Sequence, residues 1–176
     1  MGCFANLFRY FYAFLAVVAI LILVIITNLP LYYKYCADDK CEYVFFMNPA
    51  HTRCGSTKEL KCPGVYLTSL PHWIITGMYA VIVPILLVCA ALNFVTACLC
   101  CPFGPAGVTT ATGISTLLCL IAVGLSFAFN KDKKLQYPNI KIKVGPTVFL
   151  GVFEVLLLLA MTIVSSFASF LSSLCL

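Results

Sequence analysis

Apolar and polar positions alternate along this chain in long blocks rather than at the short periods of a folded soluble domain. Four stretches, about 10–28, 74–98, 108–129 and 147–171, are almost continuously apolar. A hydrocarbon layer of about 30 Å takes roughly 20 apolar residues in helical form, so each stretch predicts one membrane-spanning helix. The first, "YFYAFLAVVAILILVIITN", follows a single arginine, Arg9. It is longer than the apolar core of a secretory signal and no small-residue cleavage site follows it, so it is read as a retained span. An even number of spans puts both termini on one side.

The polar blocks between these stretches define three loops. Loop one (29–73) is long, loop two (99–107, "LCCPFGPAG") is short and uncharged, and loop three (130–146) is rich in lysine. Within loop one, "LYYKY" and "EYVFFM" combine aromatic and β-branched residues, while "NP" and "CGS" punctuate them, which predicts short strands joined by turns. Loop three carries "NIKIKV", an apolar/lysine alternation that predicts another strand. Pairing it with the loop-one strands would make a small sheet over a four-helix bundle and cover an open strand edge. No repeat of 20–50 residues is present, and the 176 residues read as a single domain.

Composition agrees: 62% of residues are hydrophobic and 10% charged, outside the range of soluble domains. Fifteen of the seventeen Asp, Glu, Lys and Arg residues fall within 34–61 and 131–143, leaving only Arg9 and Glu154 elsewhere. Two rules of orientation then disagree. Loops one and three hold five Lys or Arg each, which by the positive-inside rule would make them cytoplasmic. Loop one, however, contains Cys36, Cys41, Cys54 and Cys62, an even set suited to an oxidising compartment, and its four acids nearly neutralise it. Cys3, Cys98, Cys100, Cys101 and Cys175 gather on the opposite side, where juxtamembrane thiols are acceptors for palmitate. Loops one and three are therefore expected outside the cell, the termini in the cytoplasm, and the protein in the plasma membrane.

The loop-one cysteines admit three chemistries. Together with His51 and His72 they supply enough thiols and imidazoles for zinc, but no C-x-x-C pair occurs. A nucleophilic cysteine with a histidine base would need a third group to orient the base, and none is visible. Disulfides are the favoured reading, with three connectivities open; pairing Cys54 with Cys62 and Cys36 with Cys41 gives two short loops.

Glu154 lies about eight residues into the fourth stretch, where an ionisable group facing lipid costs at least ~2.5 kcal/mol. It is expected to face the bundle, water or a partner, either as a contact for ions or a partner or as a carboxyl hydrogen-bonded to a neighbouring helix. Lys131, Lys133, Lys134, Lys141 and Lys143 make loop three cationic, able to attract anions beside a channel or intercellular path, or else to form a solvated strand face. Pro84 is expected to kink the second span, and Gly107, Ala111 and Ser115, and Gly113 with Leu117, to allow close helix approach on the third. Met1-Gly2-Cys3 begins like a myristoylation motif, but Asn6 stands where Ser or Thr is required. No Asn-x-Ser/Thr acceptor for glycans occurs. The last apolar stretch is followed by almost no tail, so any assembly is expected to use the spans and the sheet. No cofactor and no nucleic-acid partner is expected.

The passage "CPGVYLTSLP" leading into the second span, the small-residue-rich "GVTTATGISTLLCLIAVGL" and "YPNIKIKVGPTVFLGVFE" with its G-x-x-x-F-x-G pattern resemble the claudin and peripheral-myelin-protein superfamily. The resemblance covers most of the chain. It implies a left-handed four-helix bundle beneath an extracellular antiparallel sheet drawn from loops one and three, with Cys54–Cys62 as the family's disulfide. It further implies a non-enzymatic role in cell contact, junction assembly or paracellular permeability, with other copies of the chain as partners. The alternative role within the superfamily is auxiliary subunit of a larger channel or receptor. The chain's single tryptophan, Trp73, at the start of the second span, and its additional Cys36 and Cys41 favour that alternative.

Overall fold

The computed structural model describes residues 2–35, 42–46, 53–54, 70–98, 105–131 and 141–173. Four long helices account for most of them: α1 (Gly2–Asn28), α2 (Leu70–Cys98), α3 (Pro105–Lys131) and α4 (Pro146–Ser173). Each contains a segment long and apolar enough to cross a membrane: Asn6–Asn28, Trp73–Cys98, Ala106–Ala128 and Pro146–Leu171. The chain is thus a multi-pass membrane protein in contact with the bilayer. The helices extend beyond the expected apolar stretches, most of all α1, so Arg9 stands inside a helix rather than ahead of it.

Local chemistry sets the ends. Proline opens α3 and α4, where its missing N–H leaves no helical bond unmade. At the end of α1 the Thr27 hydroxyl and the Asn28 amide both donate to the Val24 carbonyl, each at 2.8 Å, so both polar side chains fold back onto their own helix. Helix α2 runs unbroken through Pro84.

The helices pack as a ring, α1 on α2, α2 on α3, α3 on α4 and α4 on α1. Buried positions recur at alternating steps of three and four residues on every helix. On α1 they are Arg9, Tyr12, Ala16, Ala19, Leu23 and Ile26; on α2, Ile75, Tyr79, Ile82, Leu86, Cys89 and Asn93. On α3 they are Val108, Thr112, Ser115, Cys119, Ala122 and Ser126; on α4, Thr147, Gly151, Glu154, Leu158, Met161, Ser165 and Ala168. A repeat of 3.5 residues is what keeps one seam facing its neighbours when helices wind around one another with a left-handed supercoil. The outward face is equally apolar, with Phe14, Leu21, Leu117, Phe149, Phe153 and Phe170 all exposed, as contact with lipid requires.

The loop segments that are described pair as a four-stranded antiparallel sheet. Its strands are β1 (Pro30–Tyr35), β2 (Glu42–Phe46), β3 (Arg53–Cys54) and β4 (Lys141–Val144), in the order β3-β2-β1-β4. Strand β1 is central, with Tyr33 opposite Val44 on one side and Lys143 on the other, and the β1/β2 register shifts between Pro30 and Tyr32. Strand β1 touches α4 and β4 touches α3, so the sheet adjoins the end of the bundle away from the termini.

Candidate functional site

Hydrophobic residues point both ways in this bundle, so its chemistry lies in the polar groups that point inward. In hydrocarbon each such group must find its partners inside the protein. Most hydroxyls do so on their own helix: Ser115 donates to the Ala111 carbonyl, Thr116 to Thr112, Ser126 to Ala122 and Thr162 to Leu158. Others cross between helices. The Thr109 hydroxyl lies 2.7 Å from that of Ser165, and that of Thr116 lies 3.3 Å from that of Thr162, so polar contacts join α3 to α4 over two turns of α3.

Two tyrosine-centred clusters divide the interior. Nearer the termini, the Tyr12 hydroxyl of α1 meets the Thr112 hydroxyl of α3 at 2.5 Å, Thr112 donates onward to the Val108 carbonyl at 2.7 Å, and the Cys89 thiol of α2 lies beside them. Just beyond it Arg9, 3% exposed, donates to the Thr96 carbonyl at 3.1 Å. Thr96 is in the last turn of α2, where carbonyls have no helical donor and the helix dipole favours a cation. An arginine on α1 therefore caps α2.

The second cluster lies toward the sheet. Tyr79 of α2 lies beside the Cys119 thiol of α3, and that thiol points to the Gly151 carbonyl of α4 at 3.9 Å. The approach is close because residue 151 is glycine: a Cβ there would stand 2.7 Å from the Tyr79 hydroxyl oxygen and 2.8 Å from Val123 Cγ2. One turn further along α4 is Glu154, 0% exposed, close enough to act electrostatically on both Tyr79 and Cys119. Neither of its carboxyl oxygens has a hydrogen-bond partner among the described residues. Glu154 thus faces the bundle, as one of the sequence expectations has it, but without the expected bond to a neighbouring helix.

The remaining expected site residues are scattered. Cys98, at the end of α2, is an exposed free thiol 3.7 Å from the Tyr10 hydroxyl, whereas Cys89 and Cys119 are free and buried. Cys100 and Cys101 lie outside the described residues, as do Cys36, Cys41, Cys62, His51, Lys133 and Lys134. Cys54 ends β3 opposite Tyr43, Lys131 ends α3, and Lys141 and Lys143 stand opposite Tyr35 and Tyr33 across β4 and β1. The side chains of these four, and of His72 in α2, are outside what is described. No three His, Cys, Asp or Glu side chains among the described residues come together as a metal site would need.

Of the small residues expected to allow close approach on α3, Ser115 is buried and Ala111 packs against the core, but the glycines make no such approach. A Cβ on Gly107 or Gly113 would meet nothing within 4 Å, and Leu117 faces outward. Gly107 and Ala111 instead line an open apolar groove of about 400 Å³ between α2 and α3, together with Pro84, Ile85, Val88 and Leu92. Sequence reasoning missed Arg9, Tyr79 and Cys119 as interior residues. A signal was available, since Tyr79 recurs in step with Ile75 and Ile82, and Cys119 with Thr112 and Ser115.

No protein-family model and no curated protein sequence matches this chain.

Proposed function

We propose that this is a non-enzymatic, claudin-like membrane protein that builds cell contacts or controls paracellular permeability by assembling with copies of itself. The reading rests chiefly on one observation: the β4 strand of loop three pairs along β1 of loop one, Lys141 to Val144 against Tyr35 to Tyr32. That pairing joins the described strands of the two large loops in one sheet at the end of the bundle away from both termini. With those loops outside the cell, a contact made by the sheet reaches a neighbouring membrane while the apolar outer faces of the helices associate laterally. Disulfides among Cys36, Cys41, Cys54 and Cys62 would staple this surface, and acylation at Cys98, Cys100 or Cys101 would anchor the opposite one. The lysines of loop three would bias a path along the sheet toward anions. The scarcity of charge in the spans supports a non-catalytic role, because Arg9 and Glu154 sit at opposite ends of the bundle and form no acid–base pair.

A second reading, auxiliary subunit of an ion channel or receptor, is favoured by the groove between α2 and α3. It is open at lipid level, lined by apolar side chains and small residues, and of a size to receive side chains from a helix of a larger membrane protein. Purification from native membranes in mild detergent, with mass analysis of the intact particle, separates the two. Homo-oligomers support the contact-forming role, a fixed ratio with a larger membrane protein supports the auxiliary one, and an isolated monomer at native expression level argues against both.

A further inference from the structure

We propose that Glu154 anchors an internal hydration site, binding one or two water molecules between its carboxyl, the Tyr79 hydroxyl and the Gly151 carbonyl. The starting point is a mismatch of donors and acceptors. The Cys119 thiol is placed to donate to the Gly151 carbonyl, so toward the neighbouring Tyr79 hydroxyl its sulfur offers only lone pairs, which take the tyrosine proton. That leaves the lone pairs of the Tyr79 oxygen available as acceptors. Among the described residues the Gly151 carbonyl receives from side chains only that long thiol contact, at 3.9 Å, and keeps acceptor capacity of its own. Glu154 adds two more oxygens, both buried and both without a partner among the described residues. The cluster is therefore rich in acceptors and short of donors.

Water corrects this imbalance. It brings two donors to an acceptor-rich site, it is small enough for a helix interface, and internal waters settle where two to four polar groups converge. A carboxyl that carries its proton supplies one more donor and avoids placing a lone charge in hydrocarbon. The titratable groups that face Glu154 are Tyr79 from α2 and Cys119 from α3, while the residues buried on α1 toward that end, Ala19, Leu23 and Ile26, carry none. No cation among them would hold the carboxylate ionised. Glu154 lies eight residues along α4 from Pro146, about 12 Å at 1.5 Å per residue, so the site is within reach of the interface on the sheet side. Water there joins α2 and α4 through strong oxygen-centred bonds where the protein alone offers a chain through the Cys119 sulfur of α3.

Infrared difference spectroscopy on the full chain in lipid vesicles tests this. Wild type should show a protonated-carboxyl C=O stretching band that Glu154→Gln lacks, and the band should move to lower frequency when H2O is exchanged for D2O. Tyr79→Phe, which keeps the carboxyl but removes the hydroxyl, should shift the band without abolishing it, and serves as the probe if Glu154→Gln does not fold. Absence of an acid band in wild type would overturn the proposal in favour of an ionised carboxylate held by a cation. A band unmoved by prolonged deuteration and by Tyr79→Phe would overturn it in favour of a dry carboxyl.

Discussion

The hydroxyl of Tyr79 occupies the space that a side chain at residue 151 would need, 2.7 Å from the position of a Cβ there. Helices α2 and α4 are not direct neighbours around the ring, and this contact bridges them across the interior. Gly151→Ala would drive a methyl group against the ends of two buried side chains, the Tyr79 phenol and Val123. Overpacking of this kind costs about 1–3 kcal/mol. Thermal unfolding in detergent should show the loss, and adding Tyr79→Phe, which removes the clashing oxygen, should restore part of it. Additive losses in the double variant would count against the contact.

Arg9 fastens the N-terminal turns of α1 to the last turn of α2. Hydrogen bonds to a charged group are worth ~1.5–3 kcal/mol, so Arg9→Leu should lower the unfolding temperature clearly and Arg9→Lys less so. If Arg9→Leu unfolds at the wild-type temperature, the arginine does not act as a cap.

At the other tyrosine cluster, Thr112 keeps its bond to the Val108 carbonyl whatever stands at position 12. Tyr12→Phe should therefore cost little, about 0.6 kcal/mol by the average for hydrogen bonds between membrane helices. Tyr12→Ala opens a cavity in the core and should cost ~3 kcal/mol or more. Similar losses in the two variants would show that the hydroxyl, not the ring, holds α1 to α3.

Thiol chemistry separates the cysteines. In the folded protein Cys98 should react with maleimide at once, while Cys89 and Cys119 should react only on denaturation. On the proposed function, Cys36, Cys41, Cys54 and Cys62 should stay blocked until reduced. Cys54→Ser or Cys62→Ser should then weaken the loop by ~2–4 kcal/mol and reduce delivery to the cell surface. Normal delivery of both variants would remove the structural disulfide.

The four helices are legible in the sequence because hydrocarbon selects them by composition alone. Their inner faces are much less so, since lipid is as apolar as the core: Phe14 and Phe149 face outward while the smaller Ala16 and Val148 face inward. In a soluble bundle the polar side would have marked the surface. Here the polar residues mark the interior, and Thr112, Ser115, Ser126 and Ser165 on their three-and-four spacing are the readable trace of it. The glycines of α3 misled for a related reason. Gly107 and Gly113 fit a close-packing motif, but glycine is also tolerated where a helix merely meets lipid, and only the opposing helix decides between the two. Glu154 was legible as an inward-facing group from its cost in lipid; the pairing of Tyr79 with Cys119 beside it depends on the relative heights of three helices, which no single stretch of sequence encodes.

The proposed function requires the sheet to stand outside the cell, with both termini inside. Treating intact cells with a membrane-impermeant amine reagent and mapping the labelled lysines by mass spectrometry tests that most directly. Labelling of Lys141 and Lys143 in intact cells, with an epitope tag on the N-terminus reached by antibody only after permeabilisation, is the predicted result. Labelling of those lysines only in permeabilised cells, with the tag reached from outside, would place the sheet in the cytoplasm and contradict it.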